Sequence, residues 1–274
     1  MKYIKYYLSP VTILTAMICV LQGAHAPTLF FIGFSLFVIL GDFLLNDDSV
    51  EHEYSYPFLL NLPMYLNLPL LSLFIFLSTL LLSSTISNVF LQFLSPTVET
   101  LFLNIKQSLT LIDKFSLMLL SGLYIGIMGT VTGHELVHRT KNKFDMFVGN
   151  WLLAFSWDCT FAVEHVYGHH KNVATPIDPA TGKRGENIYK FVLRAIFSEH
   201  KDAWKIEINR LKLSRKNLFS AKNRMLIGYF RSIIISSIAF MIAGYSGLGL
   251  FLLMAFDLNS IHHLDHLLLR QFFY

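Results

Sequence analysis

The chain is organised by runs of apolar residues too continuous to be one face of a soluble helix, at roughly 9 to 24, 28 to 46, 58 to 83, 115 to 134, 225 to 243 and 245 to 260. A helix needs about 20 such residues to cross the hydrocarbon core of a bilayer. Only helices and closed barrels satisfy their own backbone hydrogen bonds there. The expected fold is therefore all-α and integral to the membrane, with about six transmembrane helices in a single domain over residues 1–274. The charged fraction agrees, at 15% against about a quarter in soluble domains. The first run follows Lys2 and Lys5 and imitates a signal peptide, but a second run comes at once, so the pair reads as a helical hairpin.

Two smaller features refine this layout. Gly244 and Gly247 sit between the last two runs and predict a tight turn, and the apolar stretch 146 to 162 carries Asp158, which suits an interfacial or re-entrant helix better than a span. Gly122, Gly126, Gly129 and Gly133 form a small-residue ridge on the fourth run that allows close helix packing, or leaves a slot for a chain-like substrate.

Basic residues in loops mark the cytoplasmic side. Between Lys171 and Arg224 there are 13 basic and 5 acidic residues, a surplus of eight in a chain whose whole net charge is +4. Loop 171–224 is thus expected to be cytoplasmic at the inner (plasma) membrane. Lys2 and Lys5 place the N-terminus on the same side, which requires an even number of crossings before residue 171. The basic surface suits anionic headgroups or an acidic protein partner, and no nucleic-acid partner is expected. Cys19 and Cys159 lie far apart, so neither a disulfide framework nor an iron-sulfur module can be built from them.

Chemistry concentrates in the histidines. His134-Glu135-Leu136-Val137-His138 is an H-E-x-x-H pattern, whose imidazoles fall on one helical face and can share a metal ion. Glu164-His165-Val166-Tyr167-Gly168-His169-His170 follows. On an α-helix His165 and His169 share a face, while His170 points about 100° away, toward a second ion. His262, His263 and His266 form a third group beside Asp265. Up to eight imidazoles are too many for one ion and suit two, and the count favours iron over zinc. Glu135 and Glu164 are candidates to fix imidazole tautomers, or are simply helix-end carboxylates. A zinc metalloprotease with Glu135 as general base stays open, although it leaves the second cluster idle. His25, His52 and His200 have no partner at ligand spacing and read as surface or packing residues.

The order H-E-L-V-H-R, then E-H-V-Y-G-H-H-K-N-V-A-T-P-I-D-P-A, then a basic amphipathic stretch with Trp204 and Arg210, resembles the integral-membrane alkane monooxygenases, within the wider superfamily of membrane fatty-acid desaturases and hydroxylases. The resemblance runs from about 115 to 224. It implies two non-haem iron ions, with His134, His138, His165, His169 and His170 at ligand positions. It also implies O₂-dependent hydroxylation of the terminal carbon of alkanes or fatty-acyl chains, with electrons from rubredoxin or ferredoxin; desaturation is the alternative oxidation. The C-terminus departs from the family pattern, since His262, His263 and His266 cannot satisfy both of the family's last two histidine boxes. A shortened C-terminus, or a truncated inactive relative, is the corresponding expectation.

Overall fold

A computed structural model describes residues 3–44 and 53–257 of the chain. Every regular element among them is helical. Five helical stretches are long and apolar enough to cross a membrane: Ile4–Gln22, Ala26–Leu44, Pro57–Leu82, Leu111–His138 and Arg224–Phe256. We name α1 (Leu8–Gln22), α2 (Ala26–Leu44), α3 (Pro57–Leu82), α4 (Pro96–Ser108), α5 (Leu111–His138), α6 (Lys143–Phe155), α7 (161–172), α8 (Ile188–Leu213) and α9 (Arg224–Asp257).

Four of the five candidate spans precede residue 171, the even number the basic loop calls for. Where two final helices are expected, α9 is two helical segments, 224–242 and 245–257, meeting at a kink at Ala243 (φ −140°) and Gly244 (φ 60°). Glycine reaches that positive φ without a Cβ clash, which is why the break falls there. Carbonyls released at the break are recaptured: Ser87 N–H donates to Ile242 O at 2.9 Å and Thr85 Oγ1 to Ala243 O at 3.1 Å. The expected tight turn is thus a two-residue kink between two helical segments.

The described residues form two compact units, the first made of residues up to Tyr124 with Ile238–Met254, the second of Ile125–Ser237 with the residues from Ala255. In the first unit α1 packs on α2 and α3, and Phe74 meets Tyr124 edge to face at 5.2 Å. Lys106 on α4 caps α3 by donating to the carbonyls of Leu80, Leu81 and Ser83. Helix α2 buries only Pro27 and exposes Leu36, Phe37, Ile39 and Phe43. Such a continuous apolar exposure is untenable in water and natural in lipid.

In the second unit α6 has only 13 residues, too short to span, as the stretch 146 to 162 led us to expect. It packs closely on the end of α5. A Cβ on Gly133 would stand 2.9 Å from Leu153 Cγ and 3.1 Å from Gly149 O; one on Gly149 would meet Leu136 Cβ at 2.9 Å. At Gly133 the small-residue ridge therefore serves close packing. Helix α8 carries six of the loop's basic residues and buries Phe191, Ala195, Ala203, Glu207 and Leu211, spaced in multiples of four.

Candidate metal centre

Close packing of α5 and α6 fixes the end of α5, and with it the first histidine pair. His134 and His138 lie one turn apart with ring centroids separated by 4.7 Å. Helix α7 supplies the second group. Phe161 stacks on His165 at 4.3 Å and meets His134 edge-on at 5.0 Å, an apolar plate that locks both rings. One ring nitrogen each from His134, His138 and His165 all lie within 4.8 Å of one another, close enough to hold one metal ion together.

His170 lies closer than α-helical spacing predicts. Residues His165–His169 form a π turn, in which the His170 N–H donates to the His165 carbonyl five residues back. The wider turn brings positions i and i+5 together. His170 Nε2 consequently lies 3.1 Å from His165 Nε2, and its ring is 4.8 Å from that of His138. His169 stacks on His165 at 5.1 Å. The structure thus gathers His134, His138, His165, His169 and His170 in one cluster. His262, His263 and His266 lie outside the described residues, as does His52.

His169 is oriented by a residue that sequence reasoning did not single out. Its Nδ1 lies 3.0 and 3.1 Å from the two carboxylate oxygens of Asp178, leaving Nε2 for a metal. Asp178 is itself held by Ala180 N at 3.0 Å and Thr181 Oγ1 at 2.6 Å. Arg194 on α8 clamps the same loop through Pro179 O, Thr181 O and both oxygens of Glu186. Its hydrogen bonds hold the Glu186 carboxyl down at about 2. The available signal was Asp178 between two prolines inside the quoted motif, a spacing that marks a turn without saying what the turn holds.

The two candidate carboxylates part company. Glu135 is exposed and bonds Arg139 at 2.9 Å, on the outside of the helix. That placement suits neither an imidazole partner nor a protease's general base. Glu164 is 3% exposed, and its Oε1 has no hydrogen-bond partner among the described residues. Burial, and then Asp178, Asp202 and Asp158, push its carboxyl up to about 8. Gly168 makes room for it, because a Cβ there would lie 2.7 Å from Glu164 Oε1. His200 has a packing role instead: its Nε2 bonds the Tyr229 hydroxyl, which also accepts from Trp204 Nε1.

Burial first, and then the surrounding imidazoles, hold His165 far below the usual histidine range; burial, His138 and His169 lower His170 as well. Charging several touching imidazoles together is prohibitive. At neutral pH His165 and His170 therefore present unprotonated nitrogen donors, the form that binds a transition metal.

Comparison with known proteins follows the same stretch. The model of the family described as fatty acid desaturase matches residues 114–268, more than half of the chain. The chain is 39% identical over 147 residues to alkane 1-monooxygenase 1 of Alcanivorax borkumensis, covering 51% of this chain and 36% of that protein. It is 40% identical over 120 residues to the alkane 1-monooxygenase of Pseudomonas putida, covering 44% and 29%. With that of Ectopseudomonas oleovorans it shares 37% over 145 residues, covering 51% and 36%. The matched stretch spans about a third of the length of these curated relatives.

Proposed function

The chain belongs to the fatty acid desaturase family, and from that premise we propose that it is a membrane-bound non-haem di-iron oxygenase that hydroxylates the terminal carbon of alkanes or fatty-acyl chains. The observation that carries this reading is the cluster of five imidazoles on α5 and α7, with ring centroids 4.5 to 5.7 Å apart where they touch. Such a donor set exceeds what one tetrahedral ion needs. His134, His138, His165, His169 and His170 are the proposed ligands, joined by His262, His263 and His266 as the third group.

Iron bound there would supply the O₂-activating redox chemistry that side chains lack. The chain's own residues do the rest. Asp178 sets the tautomer and plane of His169. Phe161 excludes water from one side of His134 and His165. Glu164, whose Oε1 has no hydrogen-bond partner among the described residues, holds a proton next to the ligands. A hydrophobic chain reaches the site from the bilayer. Electrons come from an acidic rubredoxin or ferredoxin docking on the basic face of α8, because two distant cysteines provide no internal relay. The basic loop puts this face, and the metal centre, on the cytoplasmic side of the inner membrane.

The test is metal analysis and Mössbauer spectroscopy of the purified chain loaded with iron-57, followed by product analysis with medium-chain alkanes, O₂ and a reductant system. A coupled iron pair that O₂ oxidises, with a 1-alkanol as product, is expected. One zinc per chain and no iron would overturn the reading.

A further inference from the structure

A second site lies in the same unit and shares no residue with the histidine cluster. It is a cavity of about 320 Å³ between α6, α7 and the start of α9. Its wall carries three cations, Lys143, Arg224 and Arg231, and no carboxylate, while Met146, Phe147 and Ile227 supply apolar surface.

The charges are not balanced from within. Arg224 bonds Glu207, but Glu207 also serves Arg210, so the trio keeps one positive charge. Arg231 stands inside the candidate span Arg224–Phe256 and is partly buried. Its only described hydrogen bond is a long one to Asn150 Oδ1, at 3.4 Å. Lys143, exposed at the first position of α6, has no hydrogen bond or ion pair among the described residues. A guanidinium inside an apolar span is costly unless an anion meets it. The cavity offers that anion a place, with apolar walls that a small hydrated ion would leave unfilled.

We propose that this cavity binds the phosphate of an anionic membrane phospholipid, with Arg231, Lys143 and Arg224 as counter-charges and the first part of the lipid chains against Met146, Phe147 and Ile227. Guanidinium and phosphate match as a fork of donors to several acceptor oxygens. Lipid is the source because Arg231 belongs to a bilayer-spanning element, where headgroups are the anions at hand. The inference stands apart from any assignment of the metal.

The experiment uses the purified full chain in neutral detergent. Lipids retained are counted by native mass spectrometry, and thermal midpoints are read with phosphatidylglycerol, phosphatidylcholine, oleate or inorganic phosphate added. Phosphatidylglycerol is expected to bind about tenfold more tightly than phosphatidylcholine, and Arg231→Gln to abolish that preference. Lys143→Gln, at an exposed position the fold does not depend on, is expected to lower it severalfold. Arg231→Lys, which keeps the charge without the fork, should retain part of it. Equal binding of the two lipids, or a preference unchanged in Lys143→Gln and Arg231→Lys, would overturn the proposal. So would oleate or inorganic phosphate matching phosphatidylglycerol, which would assign the site to a free carboxylate or a free anion.

Discussion

Asp178 shows what a single side chain contributes at this centre. Its carboxylate bonds His169 Nδ1 and two groups of its own loop, so it fixes a ring without touching where a metal would sit. Replacing such a partner lowers metal affinity by about 10- to 100-fold. Asp178→Ala is therefore expected to leave the protein folded and to lower its affinity for the proposed iron within that range, read by chelator titration; unchanged affinity would remove Asp178 from the centre. The histidines were legible at this scale because i, i+4 spacing states a shared face. The role of Glu135 stayed open at sequence level, and the structure settles its aim outward, about 100° round the helix from His134. Asp178 was not, because the contact depends on how a loop folds back rather than on helical periodicity.

Elements meet the sequence less directly. The spans could be counted from apolar length, and the break in α9 from Gly244, but the π turn at His165–His169 has no periodic signature. That turn, rather than the 3.6-residue repeat, brings His170 to His165. Between helices, the α5 and α6 contact is decided by glycines on both sides. Gly149→Ala adds a methyl 2.9 Å from Leu136 Cβ and 3.1 Å from Gly133 O. Overpacking of about 1–3 kcal/mol outweighs the gain of about 1 kcal/mol in helix propensity. A lower thermal midpoint and weaker iron binding together are expected, since His134 and His138 sit on the displaced helix. Glu207 ties α8 to the start of α9 through Arg210 and Arg224. Burial alone would raise its carboxyl, but those partners hold it at about 2 from an ordinary 4.5. Because the folded value is depressed, the stabilisation is whole above about pH 4.5 and fades as pH falls toward 2. Glu207→Gln should cost about 2–3 kcal/mol at pH 7, and the difference in thermal midpoint from the wild type should shrink through that window.

For the whole molecule, the excess of positive charge in loop 171–224 makes the proposed electron delivery by an acidic partner testable. Association steered by such a field weakens as salt shortens the Debye length from about 10 Å at 0.1 M to about 3 Å at 1 M. Reduction of the centre by an acidic donor protein should slow at least tenfold over that range, while reduction by dithionite should not follow it; parallel salt dependences would dissociate the basic face from electron delivery. Membrane character and the stretch that gathers the histidines were readable from sequence at this scale. The division into two units was not, because apolar length reports where a helix meets lipid and not which helices pack together.

One consequence of the cluster concerns the order of events during synthesis. All five imidazoles lie between positions 134 and 170, on α5 and α7, with only α6 and two short connections between them. Closing so short a loop costs little chain entropy, and contacts so local form early. This part of the proposed ligand set can therefore assemble, and offer its donors to a metal, while α9 is still to be translated.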